Sequence, residues 1–466
     1  MLIVATRKHP NIREGCSLGT AILMFLIVTT MIPPVLAGNT LHMTIVRIFP
    51  QVPIALRVDA LGLLFATTAT FLWILTTLYS IGYMRSLKEH AQTRYYTCFA
   101  LTLTAAMGVA FSANWLTLYL FYEMLTFFTY PLVAHHETKE AFAAGNKYLL
   151  YLLGTAKAFL LLAIILTFIL SGTLDFTPHG IFPPGANPVV LTITYALFLA
   201  GIGKVAIMPF QAWLPAAMVA PTPVSALLHA VAVVNVGVFC VLRVMFYVFG
   251  VELMKELNLG VMTAFFVSFT IIMASLYALT RDNLKARLAY STISQLSYMV
   301  LGGALLAPSG MAGGMMHIAH HAFSKITLFF CAGSIYVASN KTNISDMSGI
   351  GRKMPWTMGA FSIGALSMIG VPPLAGFVTK HYLTTGATEA NQTLIFYMLW
   401  ISTLLNAGYF LPILYKAYFQ VPREEIVHVR EPSYFMVIPL VVCAAITVIL
   451  GVYPNFYLEL SRLAIR

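Results

Sequence analysis

The chain of 466 residues is 59% hydrophobic and only 9% charged, and its mean hydropathy is +0.84. This composition excludes a sizeable soluble domain and predicts a polytopic helical membrane protein, since a helix needs about 20 apolar residues to cross a bilayer. The net charge of +11 comes from 27 Lys and Arg residues scattered over short loops, so no basic patch for nucleic acid is expected.

Apolar runs recur almost from end to end and predict thirteen membrane crossings. In chain order the predicted spans are residues 17–37, 58–83, 95–112, 114–134, 148–171, 188–220, 223–249, 259–280, 286–307, 310–339, 354–380, 393–419 and 434–454, of which 188–220 and 354–380 are interrupted by glycine and proline. Lys and Arg are concentrated in the loops that share a side with the amino terminus. The positive-inside rule therefore predicts an inside amino terminus and an outside carboxyl terminus.

No pattern in the sequence would bind a redox cofactor or a metal. The five cysteines lie far apart without a C-x-x-C pair, and neither a G-x-G-x-x-G turn nor a Walker motif occurs. We therefore expect no cofactor, and any redox centre that drives the protein would belong to a partner. His317, His320 and His321 have the spacing of metal ligands, but no acidic ligand accompanies them, so no metal site is predicted.

Charged side chains inside the predicted spans are the main functional signal. They are Glu123, Lys157, Lys204, Arg243, Lys325, Lys380 and Lys416. A charge at the bilayer centre costs about 2.5–3.5 kcal/mol on insertion scales, so such groups should face partners or water rather than lipid. Arg243 and Lys416 lie close to predicted helix ends and are interpreted as anchors. Snorkelling would account for one or two more, and the others are interpreted as a proton relay.

The charged helices recur in the same order in two halves of the chain. In each half a helix with a lysine, Lys157 or Lys325, precedes an interrupted helix with a lysine, Lys204 or Lys380. Since each half has five helices, the two copies must have opposite orientations, an arrangement typical of transport sites near mid-membrane. The predicted fold class is an all-α polytopic membrane protein with two inverted five-helix repeats, each with a broken helix. The predicted domains are peripheral helices at 1–94, repeats at 95–249 and 250–419, and a final helix at 420–466.

Five stretches of the sequence resemble motifs of one known family. They are WLTLYLFYEML (115–125), GKVAIMPFQAWLPAAMVAPTPVSALLHA (203–230), RDNLKARLAYSTISQLSYM (281–299), HIAHHAFSKITLFF (317–330) and GVPPLAGFVTK (370–380). In this order they resemble the antiporter-like membrane subunits of respiratory complex I, Mrp-type cation/proton antiporters and membrane-bound hydrogenases. The resemblance covers about residues 56 to 420, and within the family it is greatest to the D-type subunit of Mrp antiporters.

The resemblance implies roles for individual residues. Glu123 matches the family's acidic partner, and Lys204 matches the paired lysine of the first broken helix. The other matched positions are His229, the pair His321 and Lys325, and the exit lysine Lys380. An amine taken out of water holds its proton less tightly, and a nearby carboxylate restores the hold. Movement of Glu123 relative to Lys204 would thus switch proton release.

Three further positions are candidates for this relay. Asn235 stands where many Mrp-type relatives have a lysine, and an amide can bond water but cannot carry the proton. Lys157 is interpreted equally as a relay residue and as a packing partner. His317 is a further candidate relay residue.

These features together predict a proton-conducting subunit of a larger complex in a bacterial or archaeal-type cell membrane. The expected partners are other membrane subunits, including related antiporter-like subunits, together with protons and membrane lipid, but no nucleic acid. Two alternatives stay open. One is sodium/proton exchange in an Mrp-type assembly, and the other is a structural or assembly subunit whose pathway has decayed at Asn235.

Overall fold

The structure is a computed structural model that describes residues 2–47, 52–422, 426 and 428–465, and at residues 228–230 it describes the backbone alone. We number its helices of nine or more residues. They are α1 (Pro10–Thr30), α2 (Ala60–Ser86), α3 (Gln92–Ala110), α4 (Trp115–Val133), α5 (Lys139–Thr155), α6 (Leu161–Ser171), α7 (Pro188–Gly201), α8 (Thr222–Ala230), α9 (Val233–Arg243), α10 (Leu259–Leu279), α11 (Leu284–Ala304), α12 (Pro308–Ser339), α13 (Pro355–Ile369), α14 (Ala375–Glu389), α15 (Thr393–Phe419), α16 (Tyr434–Val452) and α17 (Asn455–Ile465).

Shorter elements connect or interrupt these helices. Single helical turns lie at Leu2–Ala5, Ile32–Leu36, Trp213–Ala216 and Val251–Glu256, and 3₁₀ turns lie at Gly203–Val205, Phe210–Ala212, Ala217–Val219, Ile344–Asp346 and Ile350–Arg352. Two π segments, Ala156–Leu160 and Val244–Phe249, join α5 to α6 and extend α9.

Short polar side chains fix where several membrane helices begin. Asp59, Asn114 and Asn283 each accept a hydrogen bond from the backbone N–H three residues further on, at 2.9, 2.9 and 3.1 Å. Such caps satisfy backbone donors that a helix end leaves free. The polar residues that punctuate this apolar sequence therefore set the register of α2, α4 and α11.

The predicted all-α polytopic fold is confirmed. Each predicted span corresponds to one helix, to a pair of helices or, at 188–220, to a helix followed by short turns. Among the described residues eight helices are long and apolar enough to cross a membrane. One element departs from the prediction. The strands β1 (Leu41–Arg47) and β2 (Pro53–Val58) form an antiparallel hairpin before α2, in a segment for which no secondary structure was predicted.

The first predicted repeat contains more interruptions than the sequence indicated. After α7 the chain runs through short turns from Gly203 to Val219, as predicted from its glycines and prolines. The span predicted as continuous at 223–249 is also divided, because the backbone leaves helical geometry at Val231, and Val231 and Ala232 separate α8 from α9. Neither position carries glycine or proline, so no sequence signal marked this break.

The 32-residue helix α12 is the centre of the second half. It packs against α2, α8, α11, α13, α14, α16 and α17, and it is buried from Gly310 to Ile335. The second broken helix consists of α13 and α14, separated by the residues from Gly370 to Leu374. Polar groups on α12 therefore have protein on all sides.

Candidate functional site

Lys325 lies at the middle of α12 and is fully buried. Its ammonium Nζ donates to the Ser291 hydroxyl on α11 at 2.9 Å and to the Leu288 carbonyl at 3.4 Å. The ring centre of Phe410 lies 5.9 Å from the same nitrogen. The lysine thus faces its neighbours α11 and α15 rather than lipid, as the sequence predicted.

A chain of hydrogen bonds leads away from Lys325. The Tyr409 hydroxyl on α15 lies 3.1 Å from Ser291 Oγ and donates to Asn406 Oδ1 at 2.6 Å. Asn406 in turn donates to the Met368 carbonyl near the end of α13, at 3.3 Å. Lys325 is therefore connected through side chains of α11 and α15 to the backbone beside the break in the second interrupted helix.

Lys380 lies on the other side of that break. Its ammonium donates to the Ile369 carbonyl at 2.7 Å and to the Thr403 hydroxyl at 3.1 Å. Ile369 is the last residue of α13, so the cation neutralises the negative end of that half-helix. Lys380 is part-buried and lies in the second turn of α14, which begins at Ala375.

The three histidines of α12 point in different directions. His317 Nε2 lies 2.9 Å from Gln295 Oε1 on α11, and its ring centre lies 5.8 Å from that of His321. His320 instead bonds Thr379 on α14 through Nδ1, at 2.9 Å. His317 and His321 therefore follow the same side of α12 as Lys325, whereas His320 does not.

Lys204 is a fully buried lysine of the first half. It lies in the 3₁₀ turn after α7 and donates to the Tyr122 carbonyl at 3.0 Å and to the Thr126 hydroxyl at 2.6 Å. Its nitrogen also lies 3.2 Å from the Tyr122 ring centre, a close cation–π contact. Gly237 of α9 allows this position, because a Cβ there would overlap the backbone of Lys204 and Val205.

The predicted partner Glu123 lies close to Lys204 without bonding it directly. The side chain of Glu123 is half-buried on α4, forms no ion pair with Lys204 within 4.0 Å, and has one buried carboxylate oxygen without a hydrogen-bond partner among the described residues. It interacts electrostatically with Lys204 and Lys157. Lys157, in the π segment between α5 and α6, is exposed on the outer surface.

Two predicted residues lie between the halves. His229 is part of α8, which packs against α12, but its side chain lies outside the described residues. Asn235 is buried on α9, the helix that packs on the turn containing Lys204.

Arg243 is the last residue of α9 and anchors that helix through an ion pair inside the protein. It is fully buried and donates two hydrogen bonds to Asp59, at 2.5 and 2.7 Å. Arg57 lies 3.6 Å from the same carboxylate. This bidentate pair joins the start of α2 to the end of α9 and lies apart from the lysine chain.

The sequence analysis missed the polar side chains that connect the lysines. These are Ser291, Gln295 and Tyr298 on α11 and Thr403, Asn406 and Tyr409 on α15. Their spacing of three or four residues puts each set on one helix face, and that periodicity in two apolar helices was the available signal.

The two broken-helix lysines have matching surroundings. The Lys380 ammonium lies 5.6 Å from the ring centre of Tyr298 on α11, as Lys204 lies over Tyr122 on α4. In both pairs the tyrosine precedes its lysine by 82 residues. The equivalence supports the predicted correspondence between the halves.

Comparison with known proteins points to one family. The family described as NADH:quinone oxidoreductase/Mrp antiporter, TM matches residues 112–406, and the one described as NADH-ubiquinone oxidoreductase (complex I), chain 5 N-terminus matches residues 49–96.

Similar sequences are named as subunits of NADH-quinone and NAD(P)H-quinone oxidoreductases. The chain is 31% identical to NADH-quinone oxidoreductase subunit N of Desulforudis audaxviator over 79% of its own length and 74% of the relative. It is also 31% identical to NAD(P)H-quinone oxidoreductase chain 5 of Synechocystis, over 78% of its own length, but it spans only 53% of that relative.

Two solved structures share the fold over the whole chain. One is the Mrp complex from Dietzia. Its matched chain has a TM-score of 0.88 at 20% identity, and 93% of that chain is covered. The other is the membrane-bound sulfane sulfur reductase, an archaeal respiratory membrane complex, with a TM-score of 0.88 at 23% identity and 95% coverage. Both are multisubunit membrane complexes.

Proposed function

Because the chain belongs to the NADH:quinone oxidoreductase/Mrp antiporter family of antiporter-like membrane subunits, we propose that it conducts protons along its buried lysines as one subunit of a larger complex. The observation that carries the proposal is the hydrogen-bonded chain from Lys325 through Ser291 and Tyr409 to Asn406. Buried cations with satisfied polar neighbours are costly in a membrane and mark ion pathways.

The second half supplies the groups that a proton path needs. The hydroxyls of Ser291 and Tyr409 can each accept and donate a hydrogen bond. Asn406 accepts the hydrogen bond of Tyr409 and so fixes the direction of that O–H group. Water molecules near Tyr298 and Thr403 would complete the line to the Lys380 ammonium. His317 and His321 would deliver protons to Lys325 from the side of α8, on which His229 lies.

In the first half, Glu123 would control the proton on Lys204. The ammonium is held by neutral groups, namely a carbonyl, a hydroxyl and an aromatic ring, so the nearby carboxylate is the charge that can alter its hold on the proton. Approach of Glu123 would favour the protonated amine, and retreat would release the proton toward Asn235 and His229.

The exposed position of Lys157 is an argument for a neighbouring subunit at this surface. Lys157 and the half-buried Glu123 lie on the same side of the chain, where lipid alone would leave a charge in hydrocarbon. A related antiporter-like subunit packed here would satisfy both groups. We place the assembly in a bacterial or archaeal-type cell membrane, with the amino terminus inside, in agreement with the distribution of basic loops.

Proton flux in liposomes that contain the purified complex would test the proposal. A potassium diffusion potential is imposed, and internal pH is followed with and without sodium. We expect flux in sodium-free buffer, and a loss of about tenfold or more in Lys204→Met but not in Lys139→Met, an exposed lysine at the start of α5. Flux that requires sodium would instead establish cation exchange. Equal flux in all variants would indicate a structural subunit.

A further inference from the structure

A cluster of histidines around one carboxylate lies outside the lysine path, where the loop after α2 meets the loop after α4. The cluster consists of Glu89, His90, His135 and His136. The ligand atoms of Glu89, His90 and His135 all lie within 4.8 Å of one another. Neither the sequence motifs nor the proposed relay uses any of these residues.

The carboxylate lies among three imidazoles. Glu89 Oε2 is 3.7 Å from His135 Nε2, 3.7 Å from His136 Nδ1 and 4.0 Å from His90 Nδ1. The rings of His90 and His135 stack with centres 4.9 Å apart. None of these distances is short enough for a hydrogen bond, so the donor atoms surround a space rather than bond one another.

His135 is the strongest sign that a ligand belongs in that space. Its side chain is fully buried, yet among the described residues neither ring nitrogen has a hydrogen-bond partner. An unsatisfied buried polar group costs about 1–3 kcal/mol, and native proteins rarely leave one without a purpose. A metal ion bound by Nε2 would satisfy the nitrogen that faces Glu89.

Local charge also favours a divalent cation. Arg94 pairs with Glu137 and donates to the His135 carbonyl, so its charge is already balanced. Glu89 places a carboxylate within 4.0 Å of all three imidazoles and so provides a negative charge for the ion. Lys285 is the remaining cation in electrostatic range, acting on His136.

We propose that Glu89, His90 and His135, with His136 as a fourth ligand, form a binding site for a transition-metal dication of the Zn²⁺ class. Imidazole and carboxylate are ligands that zinc prefers, and tetrahedral bonds of about 2.0–2.1 Å would place ligand atoms about 3.3 Å apart. Small rotations of His90 and His136, which are partly exposed, would close the present distances. The ion would clamp the ends of α2 and α4 together.

Zinc binding by the purified full-length protein tests this site. Zn²⁺ is titrated calorimetrically into protein without a polyhistidine tag. We expect one equivalent to bind at micromolar free Zn²⁺, and X-ray absorption should show nitrogen and oxygen ligands at about 2.0–2.1 Å with imidazole outer shells. Bound Zn²⁺ should also raise the melting temperature.

The variants distinguish this site from the histidines of α12. His90→Ala changes an exposed side chain and Glu89→Gln keeps the shape of the carboxylate, so both should fold and both should lose the Zn²⁺ equivalent. His42→Ala, at an exposed position on β1, is the matched control and should retain it. Absence of binding in the unmodified protein, or binding that His90→Ala and Glu89→Gln retain, would overturn the proposal.

Discussion

At the scale of single residues, the hydroxyl of Tyr409 is the clearest test of the polar chain. Tyr409→Phe removes only the oxygen that joins Ser291 to Asn406. A buried hydrogen bond is worth about 0.5–1.5 kcal/mol and an orphaned partner costs more, so proton flux should fall about tenfold. Tyr415→Phe, on an exposed side of α15, should leave flux unchanged. Equal fluxes in the two variants would show that protons do not pass Tyr409.

The Asp59 and Arg243 pair is predicted to act on stability rather than on transport. Asp59→Asn would leave the fully buried Arg243 without its bidentate partner, which should cost about 3–5 kcal/mol of unfolding free energy in a denaturant titration in detergent. Replacing both residues, with Asp59→Leu and Arg243→Met, should recover part of that loss, because the cap that Asp59 provides to α2 is not replaced. If the double variant is as unstable as Asp59→Asn, the pair does more than neutralise a charge.

The positions of the buried lysines could be predicted from the sequence, but their neighbours could not. A lysine in an apolar run is recognisable without a structure because burying its charge is costly. Ser291 and Tyr409 are ordinary residues in membrane helices. Their role in the polar chain depends on their contact, which joins positions 118 residues apart in the sequence. The relative rotation of two helices is not readable from either one alone.

At the scale of elements, the close approach of α9 to the turn of Lys204 determines where that lysine lies. Gly237→Ala would place a Cβ in the backbone of Lys204 and Val205 and displace the turn. We expect proton flux to fall about tenfold although alanine favours the helix by up to about 1 kcal/mol.

Gly359→Ala on α13 is the matched control for that substitution, because nothing lies within 4 Å of the added Cβ. It should leave proton flux intact and raise the melting temperature slightly. Flux that survives Gly237→Ala would mean that the turn tolerates displacement, and the position of Lys204 would then not be decisive.

The sequence indicates two of the helix breaks but not the third. The breaks after α7 and α13 carry glycine and proline, and both were predicted. The break between α8 and α9 falls at Val231 and Ala232, whose intrinsic preferences are helical or extended, so tertiary packing imposes it. The hairpin of β1 and β2 was missed because its strands have six or seven residues and border long apolar helices.

Across the whole molecule, a lysine beside a broken helix, with its own polar surroundings, recurs in each half. Tyr122 with Lys204 and Tyr298 with Lys380 occupy equivalent positions, and Lys325 lies on the central helix that contacts both α8 and α14. The two halves would thus pass a proton between equivalent sites through α12.

Proton flux in the Lys325→Met variant is the most direct test of a path through α12. Methionine keeps the volume of the side chain and removes its charge, and the complex in liposomes is compared with the Lys139→Met control at equal subunit content. We predict flux at least about tenfold below the control. Flux equal to the control would contradict a path through the buried lysines.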